Sequence, residues 1–293
     1  MNIQWYPGHM TKTRRQIEED VKFVDLVAEL IDARIPVSSR NPDIDAICAN
    51  KPRLIILNRA DQADPEATAA WSRWFQTKGF SVLVANAREG KGVERFSAAV
   101  RAALADKLAE WRAKGLVGRP VRVMVLGIPN VGKSTFINQV AKRKSAKAGD
   151  RPGVTRGKQW VTVDAGLELL DTPGILWPRF EDPVTGLNLA YTGAVKDEVM
   201  DTETLACHLM EELSARYPQA LTERYKLPVP RKTGEEADLE YGYALLEGAA
   251  RKRGFLISGG EPDTERMARV LLDEFRDGKL GHFTLEEPEK DRN

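Results

Sequence analysis

A chain of 293 residues, 42% hydrophobic and 30% charged, has the make-up of an ordinary globular protein long enough for two domains. Its two cysteines, Cys48 and Cys207, lack metal-ligand spacing and suit a reduced cytosolic chain. No apolar run approaches the roughly 20 residues that span a bilayer, and Lys12, Arg14 and Arg15 have no apolar core behind them, so neither a membrane span nor a signal peptide is expected.

The net charge of +1 conceals an asymmetry: about +10 over residues 1–180 and about −9 over 181–293. The basic part suits a polyanionic partner. Along the chain, a Pro7-Gly8 turn precedes a polar helix over Thr11–Lys22, and Phe23–Ile31 reads as a strand. Asp43–Ala49 reads as a short helix, Arg53–Leu57 as a buried strand, Pro65–Lys78 as a helix stopped by Gly79, and Phe80–Val84 as a third strand. Val93, Phe96, Val100, Leu104, Leu108 and Trp111 recur at helical spacing and predict one long helix over Gly92–Ala113. A joint at Gly115–Pro120 leads to the strand Val121–Leu126, a helix from Ser134 to Lys144, and a hairpin over residues 160–170.

Strands alternating with helices predict an α/β fold with a mostly parallel sheet over residues 1–178. Beyond Pro178 the strand signals stop. Thr202–Arg216, Leu239–Arg253 and Asp263–Asp277 read as amphipathic helices, so 179–293 is expected to be a small all-helical domain. Its tail from Glu286 is expected to fray.

Between the strand at 121–126 and the helix at 134 lies Gly127-Ile128-Pro129-Asn130-Val131-Gly132-Lys133-Ser134-Thr135, which fits the phosphate-binding P-loop pattern G-x-x-x-x-G-K-[ST]. Backbone N–H groups of Asn130, Val131, Gly132 and Thr135 and the helix N-terminus would cradle phosphates. Lys133 would reach the terminal ones, and Ser134 would bind Mg²⁺.

Three further segments resemble the remaining motifs of GTPases. Asn58-Arg59-Ala60-Asp61 ends a buried strand and is similar to Asn-Lys-x-Asp, with Arg for Lys. The Asp61 carboxylate would accept from guanine N1–H and the N2 amine, a donor pair that adenine lacks. Asn86-Ala87, also at a strand end, resembles the Ser-Ala segment whose backbone N–H meets guanine O6. Asp171-Thr172-Pro173-Gly174 resembles Asp-x-x-Gly, with Asp171 holding Mg²⁺ through water and the Gly174 N–H on the γ-phosphate. Thr155 is the candidate switch threonine, with its hydroxyl on Mg²⁺.

The base motifs precede the P-loop here, whereas in Ras-like GTPases they follow it. One sheet still forms if the chain is circularly permuted, with its joint near 113–120. On these motifs, the opening Trp5-Tyr6-Pro7-Gly8-His9-Met10 and the run from Arg251-Lys252-Arg253-Gly254 to Ser258-Gly259-Gly260, the chain resembles the circularly permuted GTPases of the YlqF/RbgA family over nearly its whole length.

The resemblance implies GTP hydrolysis coupled to late assembly of the large ribosomal subunit in the bacterial cytoplasm. Ile175 and Leu176 follow Gly174 where Ras-like enzymes use a water-orienting Gln, so unassisted turnover is expected to be slow. The resemblance gives His9 that water-orienting role and makes Asn130 a ligand of K⁺, which would balance charge as an arginine finger does elsewhere. Lys142, Arg143, Lys144, Lys147, Arg151, Arg156 and Lys158 around the switch threonine, and Arg251, Lys252 and Arg253 in the helical part, are candidate contacts to rRNA backbone. A small-molecule kinase would need an acceptor pocket with its own base, and no candidate stands out. A nucleotide-gated RNA-binding module without turnover is the other alternative. A monomer is expected.

Overall fold

The computed structural model describes residues 9–48, 50–116, 118–145, 160–164, 166–196, 200–230 and 239–288; the side chains of residues 9 and 143–145 lie outside that description. The chain folds into two compact units.

The first unit holds described residues 9–179 with 286–288. It is built on a six-stranded sheet in the order β3-β2-β1-β4-β6-β5. The strands are β1 Leu26–Asp32, β2 Arg53–Asn58, β3 Ser81–Val84, β4 Val121–Gly127, β5 Trp160–Asp164 and β6 Leu167–Asp171. All pairings are parallel except β5 with β6, the hairpin at one edge. β1 is buried at all seven residues, as a central strand covered on both faces must be.

On one face α1 (His9–Asp20) and α2 (Pro42–Ile47) bring Ile17 and Ile44 against Val27, Met124, Leu126 and Leu170. On the same face α3 (Pro65–Thr77) brings Trp71 and Phe75 against Ile31, Ile55 and Leu57. The alternate residues Leu26, Ala28 and Leu30 are equally buried, facing the other way. The chain next forms α4 (Phe96–Ala103), α5 (Ala105–Ala113) and α6 (Lys133–Ser145), and the rings of Phe96 and Phe136 meet edge-on at 5.3 Å.

β1 sits between β2 and β4, where the winding reverses. The crevice beyond the carboxyl ends of the strands at that point is where open α/β sheets take ligands.

Three expectations for this unit need correction. The helix over 92–113 is broken: a 3-10 turn at Val93–Arg95 precedes α4, and Leu104, at φ −111 and ψ 17, bends the path into α5. The bend keeps both Leu104 and Trp111 buried, while Leu108 is only half-buried. Phe23 and Val24 do not start β1; a 3-10 turn at Val21–Phe23 continues α1 and leaves Phe23 exposed. The tail does not fray at Glu286. Its carboxylate accepts from the N–H groups of Val37 at 2.6 Å and Ser38 at 3.0 Å, and its carbonyl accepts from Trp71 Nε1 at 3.0 Å.

The second unit, described residues 180–285, is helical: α7 (Pro183–Tyr191), α8 (Thr202–Arg216), α9 (Pro218–Tyr225), α10 (Glu240–Lys252) and α11 (Thr264–Arg276). α7 and α9 add to the three helices expected from the sequence. Each begins with its proline, whose missing N–H costs nothing in the first turn. α8 and α10 cross closely, since a Cβ at Gly242 would meet the Cys207 carbonyl oxygen at 2.3 Å.

Glu274 on α11 is a polar hub, bonded by Arg224 Nε at 3.1 Å, Tyr225 Oη at 2.8 Å and Arg253 at 3.0 Å. Arg253 is therefore paired with Glu274 and half-buried, whereas Arg251 and Lys252 are exposed. Burial pushes the thiols of Cys48 and Cys207 up to about 11, so both are protonated at neutral pH.

Candidate nucleotide site

β4 ends at Gly127, and the chain turns through Asn130 (φ 59) and Gly132 (φ 96) into α6 at Lys133. Asn tolerates this left-handed conformation and Gly favours it, which is how the loop curls its N–H groups toward one point. Lys133 is almost buried. Its Nζ lies 3.0 Å from Asp171 Oδ1 and also donates to the Thr172 carbonyl.

The 171–174 segment is fixed to β4 on both sides. Thr172 Oγ1 donates to the Val125 carbonyl at 2.7 Å, and Ile175 N–H donates to the Gly127 carbonyl at 3.2 Å. A Cβ at Gly174 would stand 2.9 Å from the Pro129 backbone, so the two loops approach as closely as glycine allows.

The segment after β2 meets the same P-loop from the other side. Asn58 Nδ2 donates to the Val131 carbonyl at 2.8 Å, and its Oδ1 accepts from Ala87 N–H at 3.0 Å. Arg59, at φ 59, donates from its guanidinium to the Asn130 carbonyl at 2.8 Å. Ala60 N–H donates to the Ala85 carbonyl at 3.2 Å, and Asp61 projects exposed beyond it.

Beneath Arg59 lies a buried pair that the sequence did not single out. Asp32, the last residue of β1, accepts from Arg34 Nε at 3.0 Å and stands 3.7 Å from Arg59. Burial alone would raise the Asp32 pKa, but the Arg34 guanidinium and then Arg59 hold the carboxyl below the usual carboxylate range.

Asn86 is buried, with its N–H given to the Lys91 carbonyl at 2.9 Å. The backbone N–H groups of both Asn86 and Ala87 are thus engaged within the protein. The first one beyond them without a hydrogen bond among the described residues is that of Arg88.

A cavity of about 820 Å³ lies beside the P-loop, bounded by Lys133, Ser134 and Asp171–Gly174 on one side and by Lys12, Thr13 and Gln16 of α1 on the other. α1 is a wall that the sequence reading missed, although Lys12, Thr13 and Gln16 share a helical face at i, i+1 and i+4. His9, the first residue of α1, stands one turn before Thr13. Its side chain lies outside the described residues, as do Thr155, Lys147, Arg151, Arg156 and Lys158.

Ser134 and Asp171 bound this cavity together, a hydroxyl and a carboxylate. That pair fits Mg²⁺, which binds through one or two protein oxygens and takes the rest from phosphate and water. No larger group of metal-ligating side chains occurs among the described residues.

Fold and site together define a P-loop GTPase with a circularly permuted sheet. The family model described as "50S ribosome-binding GTPase" matches residues 122–226, starting at the P-loop strand and leaving Asn58–Asp61 and Asn86–Ala87 upstream. The "Ribosome biogenesis GTPase A" of Bacillus cereus is 46% identical over 291 residues, covering 99% of this chain and 95% of that protein. That of Thermotoga maritima is 31% identical, covering 98% and 95%. The GDP-bound structure of Thermotoga maritima YlqF superposes with a TM-score of 0.62 at 28% identity, covering 94% of this chain and 100% of that one. Its GNP-bound structure gives the same score at 95% and 99% coverage. The chain belongs to the ribosome biogenesis GTPase A family.

Proposed function

We propose that this chain is a GTP-hydrolysing assembly factor for the large ribosomal subunit, acting as a cytoplasmic monomer whose hold on rRNA is set by the bound nucleotide. The observation that carries the reading is the Asn58 side chain, which ties the base-reading segment to the P-loop carbonyl of Val131. β2 and β4 flank β1, so their ends stand about 10 Å apart at the usual strand spacing, a gap that one guanosine nucleotide spans.

In this reading Asp61 accepts from the guanine edge, the Arg88 N–H donates to O6, and the Arg59 stem covers the base. Residues 130–135 cradle the phosphates, Lys133 reaches the terminal ones, and Gly174 N–H meets the γ-phosphate. Ser134 and Thr155 coordinate Mg²⁺, and Asp171 holds it through water. When bound, the ion neutralises charge developing on the phosphates. Asn130 lends an oxygen to K⁺, and His9, at the start of the α1 wall, orients the attacking water. Lys142 and the basic residues that follow it contact rRNA beside the switch, and the helical unit adds Arg251 and Lys252.

Turnover measured with and without large subunits, in K⁺ and in Na⁺, tests this. Acceleration by K⁺ and by subunits is expected, with co-sedimentation stronger in a GTP analogue than in GDP. No response to either addition would leave a nucleotide-binding module without this chemistry. Equal binding of ATP would contradict the role of Asp61.

A further inference from the structure

The opposite end of the sheet carries a second concavity. A cleft of about 590 Å³ opens at Val121 and Gly166, where β4 begins and just before β6. β4 and β6 run parallel, so this is the amino end of the strands, a sheet's length from the P-loop. Leu108, Trp111 and Leu116 floor the cleft, Arg101, Arg112 and Arg119 rim it, and no carboxylate is among the described residues that line it. Residues 101–122 carry six Lys and Arg against Asp106 and Glu110.

The Arg119 guanidinium lies 4.4 Å from the centre of the Trp111 ring and 3.7 Å from the Asp25 carboxylate, and its side chain is 52% exposed. Arg101 pairs with Asp164 at 2.8 Å, whereas the Arg112 side chain makes no hydrogen bond or ion pair among the described residues. Leu116 is 45% exposed beside it.

We propose that this cleft binds single-stranded RNA, with one base stacked on the Arg119–Trp111 pair and the adjoining phosphates held by Arg112 and Arg101. Unstacked bases settle on aromatic rings and guanidinium planes, and a cleft of this volume holds a nucleotide. An acidic peptide would use the charges but leave the flat stacked surface and the exposed leucine without a matching group. The proposal rests on reading the chain as directed to RNA. It places this contact apart from the nucleotide, so RNA here and GTP at the other end bind without excluding each other.

The test uses the full chain and a labelled 12-nucleotide single-stranded RNA, followed by fluorescence anisotropy in GDP and in a GTP analogue. Arg112→Gln with Arg119→Gln should weaken binding about tenfold in both nucleotides while basal GTP turnover is retained. The slope of log affinity against log salt should become shallower by about 0.7, the share of the one phosphate contact that Arg112 supplies. Should the double variant melt early, Arg112→Glu alone, at an exposed and unpaired position, should still weaken RNA binding several-fold. Unchanged RNA affinity in the variants, absence of binding by the parent chain, or equal competition by polyglutamate would overturn the proposal. Co-sedimentation with subunits, scored separately, shows whether the broader reading has failed instead.

Discussion

Asn58 and Val131 stand 73 positions apart in sequence, yet the Asn58 amide donates to the Val131 carbonyl at 2.8 Å, and both groups are buried. The same side chain accepts the Ala87 N–H, so one residue joins the segments after β2, β3 and β4.

Asn58→Ala removes both bonds and leaves a carbonyl and an N–H unpaired in a buried place, at about 1–3 kcal/mol. The bound nucleotide depends on the alignment of these loops, so affinity for a fluorescent GTP analogue should fall at least tenfold. The fold, followed by circular dichroism, should persist.

Gly132 answers to the same residue. Its φ of 96 suits glycine, and a Cβ there would stand 2.5 Å from Asn58 Nδ2. Gly132→Ala should therefore cost GTP binding as much as or more than Asn58→Ala. The double variant should cost less than the sum, because the two substitutions strike one contact. Equilibrium titration of the three variants checks this.

The motifs were legible because each is written in consecutive residues whose types are fixed by phosphate or guanine chemistry. Their assembly was legible from the order of strands and loops. What escaped was long-range or local in a way no window shows. Asp32 and Arg34 form a buried pair only once β1 ends under Arg59. Arg253 reads as one of three consecutive cations, and only the α11 packing sends it to Glu274. α7 and α9 start on prolines that equally suit a connector. Glu286 sits in a charged tail, and its backbone partners at Val37 and Ser38 are about 250 residues away.

The Asp32 carboxyl is held below the usual range, so its contribution to stability is complete above its unfolded value near 4 and is lost as pH falls through the folded value. Asp32→Asn leaves Arg34 buried without its counter-charge and should destabilise the unit by about 3 kcal/mol at pH 7. Its loss of stability below pH 4 should be shallower than the parent's, as read from melting temperature against pH.

Glu274 gathers Arg224, Tyr225 and Arg253 in the helical unit. Glu274→Ala leaves the buried Tyr225 hydroxyl without its acceptor and frees two half-exposed arginines, and should lower the stability of that unit by about 1–3 kcal/mol. GTP affinity in the other unit should stay near its original value. Thermal melts alongside nucleotide titration separate the two effects.

Asp61→Asn, assayed with GTP and with XTP, is the most direct measurement. Xanthine carries an oxygen where guanine carries its amine, so an amide at 61 should pair with it where a carboxylate cannot. The variant should lose GTP affinity by at least tenfold and gain XTP affinity and turnover. GTP binding that is unchanged, with no gain for XTP, would contradict a guanine base seated at Asp61 with its phosphates at Lys133.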